Sequence, residues 1–258
     1  MLNKPEQTQA AIKPMKLIQP NCRIQFTAED VDFVSDTLSK SEGDRTVITN
    51  LLSDAETRDL ILDDEKLFHA LIESRGCLRV SNRFYFFVIV RNVLKKSGID
   101  DREVADYTAE MLAEYSEIDR TRCQLPGQDG PLDYFFEMLA ALQTADDRTS
   151  FYIRAHIGNH SLFLSGVFPQ RIRYRAEKKG FPDLRYYESL GQSSFRIASD
   201  HRLASRYELG PIYSRLADRF QETRQALNDM SERLVSLGDI DSGIDALLLH
   251  SLNQADWS

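Results

Sequence analysis

From Leu209 the sequence steps by four, three, four and three through Tyr213, Leu216, Phe220, Thr223, Leu227, Met230, Leu234 and Leu237, and only Thr223 among these is polar. A residue set recurring every 3.5 positions marks one face of a helix; a strand would alternate every two. Pro211 suits a helix's first turn and Gly238 its end. The spacing therefore predicts one helix over 209–237, about 40 Å long at roughly 1.5 Å per residue. So narrow an apolar seam packs lengthwise against something. Two partners are open: a neighbouring helix of the same chain, or the equivalent helix of a second copy.

Most of the remaining chain reads the same way. Thr27 followed by Glu29 and Asp30 is an N-cap with acids in the first turn, where they meet the positive end of the helix dipole. Val104, Thr108, Met111, Leu112, Tyr115 and Ile118 recur at threes and fours. Residues 84–90, FYFFVIV, have the aromatic and β-branched content of a buried strand. Ser81 as a cap, the continuation through Val93 and Leu94, and Lys95-Lys96 before Gly98 favour a helix instead. Residues 149–168 form an almost wholly apolar helix with a row of small residues, Gly158, Ser161, Ser165 and Gly166, that lets another helix approach closely. A helix over 186–206, with its own small positions Gly191, Ser194 and Ala198, is the expected neighbour, small face to small face. The fold class is all-α: a single multi-helix bundle over 27–238 with a central buried helix at about 149–168 and a long C-terminal helix at about 209–237. A flexible N-terminal arm, 1–26, carries three prolines, with Leu17-Ile18 and Ile24–Phe26 able to pin a short piece to the body. A loose tail follows over 239–258.

Three cysteines, Cys22, Cys77 and Cys123, are too sparse and uneven for a disulfide framework and suit a reducing compartment. The seven-residue apolar run cannot span roughly 30 Å of hydrocarbon, and the N-terminus lacks the apolar core of a secretory signal. The expectation is a cytoplasmic protein with no membrane contact. The net charge of −8 opposes attraction to nucleic acid. No glycine-rich phosphate loop and no nucleophile elbow is present, so the common nucleotide-dependent enzymes and serine hydrolases are not indicated. The sequence nominates no cofactor and no catalytic residue.

Two places hold chemistry. His156 and His160, four apart on the apolar helix, present both rings on one face, a spacing by which two imidazoles can share a metal. A third ligand is not readable from the sequence. The plainer reading is a pair of core histidines bonded to neighbours such as Asp200 or Glu114. A ligand pocket, if formed, is expected where the two small faces meet, around His156, His160, Tyr187, Ser194, Arg196 and His201. The second place is the connection 169–183, where Arg171, Arg173, Arg175, Lys178 and Lys179 stand against Glu177 and form a candidate anion-binding strip. Residues 148–188 hold eight Lys/Arg against three Asp/Glu, a local +5, so the remainder carries −13. Such a strip could bind phosphate, an acidic partner or an RNA backbone, with Tyr174, Tyr186 and Tyr187 as stacking faces, or it pairs internally with the acid-rich surface of 54–65 and 100–119. Other acidic clusters read as solvated helix faces. Taken together these features describe a non-enzymatic binding or interaction module, engaging a protein partner or itself through the 209–237 seam. The alternative is a small-molecule or metal-dependent enzyme built around His156 and His160.

Overall fold

The computed structural model describes residues 17–74, 79–116, 123, 132 and 134–236. Among the described residues there are thirteen α-helices and no strand. The chain enters through a 3-10 turn, Cys22–Ile24, and continues with α1 (Ala28–Leu38), α2 (Glu42–Leu51), α3 (Ala55–Leu62) and α4 (Glu65–Glu73). Then come α5 (Asn82–Lys96), α6 (Arg102–Tyr115), α7 (Phe135–Ala141) and α8 (Asp147–Val167). The last five are α9 (Pro169–Lys179), α10 (Leu184–Ser199), α11 (Arg202–Arg206), α12 (Gly210–Asp218) and α13 (Phe220–Ser236).

Short polar side chains start these helices. Thr27 accepts from the Asp30 amide while Asp30 reaches back to the Thr27 amide, a reciprocal cap. Ser41, Asp54, Asp64, Ser81, Asp101, Asp146 and Asp183 each accept from an amide of the turn they open. Many of the acids that the composition counts as surface charge are thus fixed at helix starts.

The 21-residue α8 packs against α6, α7, α9, α10 and α13, and thirteen of its residues are buried. Such enclosure explains its weak amphipathicity: a helix covered on most sides has no polar face to keep. Residues 84–90 are helical, as expected, and every one of them is buried in α5, between α6, α13 and α4. The small residues of α8 and α10 do bring helices close, but as sockets for aromatic and aliphatic knobs. A Cβ on Gly158 would lie 2.7 Å from Phe195 Cδ1, one on Gly166 2.8 Å from Leu227 Cβ, and one on Gly191 2.4 Å from Phe220 Cζ. Gly191 also faces Ser161, small against small.

The C-terminal rod is two helices, not one. Arg219 leaves helical geometry (φ −117°, ψ 29°) and separates α12 from α13. The reason lies in the partners. The α12 half packs on α10 and α6 and the α13 half on α8 and α5, and a straight rod cannot lie along both pairs. The seam itself is buried within the chain, from Leu209 at 0% exposure to Leu234 at 5%. Thr223, its one polar position, donates to the Arg219 carbonyl at 2.8 Å and so satisfies its hydroxyl locally. Leu237 and the tail 239–258 lie outside the described residues.

Two other boundaries shift. The expected helix 186–206 divides at Asp200, because His201 accepts from the Leu203 amide through Nδ1 (3.0 Å) and opens a new helix, α11. The basic stretch 169–183, read as a connection, is mostly helix. Pro169 begins α9, Lys178 and Lys179 sit at the negative end of its dipole, and Gly180 closes it in the left-handed region at φ 67°. At the N-terminus, residues 17–26 are seated on the body: Ile18 and Cys22 are buried and Phe26 packs edge-on against Phe84 and Phe87, whereas Ile24 is exposed. Residues 1–16 of the expected arm, and Cys77, are outside the described residues.

Candidate functional site

The histidine pair lies midway along α8, with His156 buried and His160 partly exposed. The two rings are 5.6 Å apart, and both meet the ring of Tyr115 at the end of α6, at 6.2 and 6.3 Å. Phe135 joins Tyr187 to this group, lying 5.3 Å from His160 and 5.5 Å from Tyr187. His156, His160 and Tyr187 therefore do converge, in an aromatic setting. Beside His160 in sequence, Asn159 Oδ1 accepts from the Tyr107 hydroxyl at 2.7 Å, and the Tyr107 ring touches Tyr213.

The other three expected members are elsewhere. Ser194 is fully buried in the seam between α8 and α10. Arg196 is exposed and binds Ser214 and Asp218 across to α12. His201 stacks on Phe151 with ring centroids 4.9 Å apart, and its Nε2 lies 3.0 Å from Asp147 Oδ1. Nine residues of α8 separate Phe151 from His160, about 13 Å along the axis. The exposed Asp200 sits beside His201, at the end of α10. Among the described residues no group of three or more His, Cys, Asp or Glu side chains is placed to hold a metal ion.

Burial lowers the His160 pKa to about 4, so the ring is neutral at pH 7. A free imidazole titrates near 6.5. Between those values the unfolded chain takes a proton that the folded one refuses, so stability falls as the pH drops from about 6.5 towards 4. The ceiling of this effect is roughly 3 kcal/mol. Urea midpoints at pH 7 and pH 4.5 should show His160→Gln losing less stability on acidification than the wild type. An identical acid loss in both would place the titration elsewhere.

Sequence reasoning missed a row of buried carboxylates. Asp106, Glu110 and Glu114 recur every four residues on α6 and are only 2–4% exposed. Asp106 accepts from the Cys22 amide (2.7 Å) and from Arg23 Nε (2.8 Å). Arg23 continues to Asp59 and Glu103, both at 2.7 Å. Glu110 takes a two-pronged pair from Arg83 (2.8 and 2.9 Å) and the Cys22 thiol at 3.2 Å. Arg83 also reaches Glu114. Burial raises the Asp106 carboxyl against the pull of Arg23, and it raises the thiols of Cys22 and Cys123, the latter to about 12. The i, i+4, i+8 spacing was visible in the sequence as a face, but nothing in it marked that face as the inner one.

A second such group centres on Arg91, which is 2% exposed. It binds Asp63 through Nε (2.7 Å) and a terminal nitrogen (2.9 Å), and also binds Asp100. Arg102 adds a bond to Asp63 at 3.0 Å. Seven acids of 54–65 and 100–119, the segments that were candidates for pairing with the basic strip, are therefore bound to Arg23, Arg83, Arg91 or Arg102: Asp59, Asp63, Asp100, Glu103, Asp106, Glu110 and Glu114.

The consequence appears on α9. Only Pro169 and Ile172 of this helix are buried. Arg173, Arg175, Lys178 and Lys179 make no ion pair with any carboxylate among the described residues; Arg175 instead covers the Phe181 ring at 4.0 Å. Tyr174, Phe181 and Tyr186 are exposed alongside, at 59%, 36% and 38%. Arg171 carries further interactions of its own. The candidate strip is thus a solvent-facing helix edged with aromatic rings. No family model, curated protein or solved structure matches the chain. Among the described residues no helix is long and apolar enough to cross a membrane.

Proposed function

We propose that this chain is a binding module whose working surface is α9, and that its partner is an acidic protein segment. The observation that carries the reading is the set of four cations, Arg173, Arg175, Lys178 and Lys179, that have no ion-pair partner among the described residues, on a chain with a surplus of eight negative charges. Seven acids of 54–65 and 100–119 are held by other arginines instead. Like charges gathered on one short helix repel one another, and an acidic partner relieves that repulsion. The exposed rings of Tyr174, Phe181 and Tyr186 supply the apolar contact that charge alone lacks, since aromatic residues with arginine are the usual anchors of protein interfaces. An RNA partner fits less well: α9 is about 16 Å long and meets few phosphates, and the body around it is acidic. Self-association through 209–237 is disfavoured by the burial of that seam, which leaves α9 as the route by which a second copy's acidic face would also dock.

The test is fluorescence anisotropy with a labelled glutamate-rich 12-residue peptide and a single-stranded RNA of equal charge. Saturable peptide binding, weakened at least tenfold by Arg173→Glu with Lys178→Glu and Lys179→Glu, is the expected result. Equal binding by that variant, or tighter binding of the RNA than of the peptide, would overturn the proposal.

A further inference from the structure

Some 30 Å from α9, at the opposite end of α8, an open groove of about 480 Å³ is lined by Arg148, Arg202, Leu203, Arg206 and Tyr207. Arg148 comes from the first turn of α8 and the other four from α11 and its end. Arg202 and Arg206 are four apart, so one face of α11 presents both guanidiniums towards the same space. Among the described residues, Asp147 is the one carboxylate ion-paired with this set. Its Oδ2 takes Arg202 at 3.1 Å while its Oδ1 lies 3.0 Å from His201 Nε2. Arg148 lies over the Tyr152 ring at 5.8 Å, and neither it nor Arg206 has an ion-pair partner among the described residues. Asp146, the cap of α8, is also close enough for its carboxylate to be stabilised by Arg148, so three guanidiniums face two carboxylates and the groove keeps a positive excess.

The backbone fixes this arrangement. α11 is opened by His201, which is itself stacked on Phe151, and it is closed by Glu208 in the left-handed region at φ 58°. That conformation is disfavoured for a non-glycine residue, and bonds from the Leu209 amide to the Ala204 carbonyl (2.8 Å) and from the Glu208 amide to the Ser205 carbonyl (3.2 Å) hold it. The turn sets Arg206 and Tyr207 at the groove wall.

We infer that this groove binds a small phosphate monoester. A dianionic phosphoryl group is opposite in sign to the charge excess, and its three oxygens suit guanidinium forks, which bind phosphate through paired N–H bonds. The volume is that of a small-ligand site, and Leu203 and the Tyr207 ring give the ester's carbon body an apolar wall. The site is independent of α9, so each proposal can fail without the other.

Isothermal titration with phenyl phosphate, inorganic phosphate and benzoate tests it, at moderate ionic strength. Phenyl phosphate is expected to bind one to one, more tightly than inorganic phosphate, with benzoate at least tenfold weaker. Arg148→Glu with Arg206→Glu, both surface changes, should abolish measurable binding while the circular dichroism spectrum stays unchanged. The triple α9 variant described above should bind phenyl phosphate as the wild type does. No heat with phenyl phosphate at millimolar concentration, binding retained in the double groove variant, or binding lost in the α9 variant would each overturn the assignment. A phosphoserine peptide that binds more than tenfold tighter than phenyl phosphate would overturn the small-molecule commitment.

Discussion

Gly191→Leu is expected to destabilise the fold by more than about 3 kcal/mol, the upper part of the range for overpacked cores. The first added atom alone would sit 2.4 Å from Phe220 Cζ and 2.8 Å from Ser161 Cβ. Neither neighbour has room to yield. Phe220 is 2% exposed and packs against Phe195, which in turn fills the space over Gly158, and Ser161 is on the enclosed α8. One substitution therefore wedges apart α8, α10 and α13 together. Gly43→Ala in the exposed α2 provides the contrast: the new Cβ would meet only Ser41 Oγ, at 3.8 Å, and helix propensity should stabilise it by about 0.5–1 kcal/mol. Urea unfolding by circular dichroism separates the two. A wild-type midpoint for Gly191→Leu would mean that the three helices are not in contact there.

Asp63→Ala should cost about 3 kcal/mol, for an electrostatic reason. Asp63 takes two bonds from the buried Arg91 and one from Arg102, with Lys95 at 3.5 Å. Burial works against its charge, but Arg91 outweighs that and holds the carboxyl below its usual range. Removing it leaves three cations gathered, one of them buried, with the exposed Asp100 as the remaining acid on Arg91. Arg91→Leu removes the buried charge along with the pair and should be milder. Chemical denaturation of both variants at pH 7 checks the order. If Asp63→Ala were the milder, the group would be a surface ornament rather than the tie between α3, α5 and α6.

The helical character was legible because it depends on local signals: Thr27 and Ser81 as caps, the 3.5-residue seam, the run of Phe84–Val90 closed by two lysines. What failed was whatever depended on distant partners. Arg219 carries no proline or glycine to announce a break; the break arises because α12 and α13 lean on different helices. Arg196 and His201 were grouped with His156 because a pocket was expected where the small faces of 149–168 and 186–206 meet, yet a helix turns successive side chains by about 100°, so Arg196, two positions beyond the buried Ser194, faces α12 instead. The buried acids of α6 read as solvent-facing because their counter-ions, Arg23 and Arg83, come from segments more than twenty residues away. The basic strip, by contrast, was visible at once as a charge excess. The reason it is unpaired was not, since that required knowing where the acids of 54–65 and 100–119 are spent.

Amide hydrogen exchange followed by mass spectrometry, with and without the glutamate-rich peptide, tests the central claim most directly. In the free protein, amides of 153–167 should exchange only through global unfolding, while those of 172–179, held by two buried residues, exchange far sooner. Added peptide should slow exchange over 172–186 and leave 28–73 unchanged. Exchange in 153–167 as fast as in α9, or peptide protection confined to helices other than α9 and α10, would contradict the account of an enclosed body working through one cationic helix.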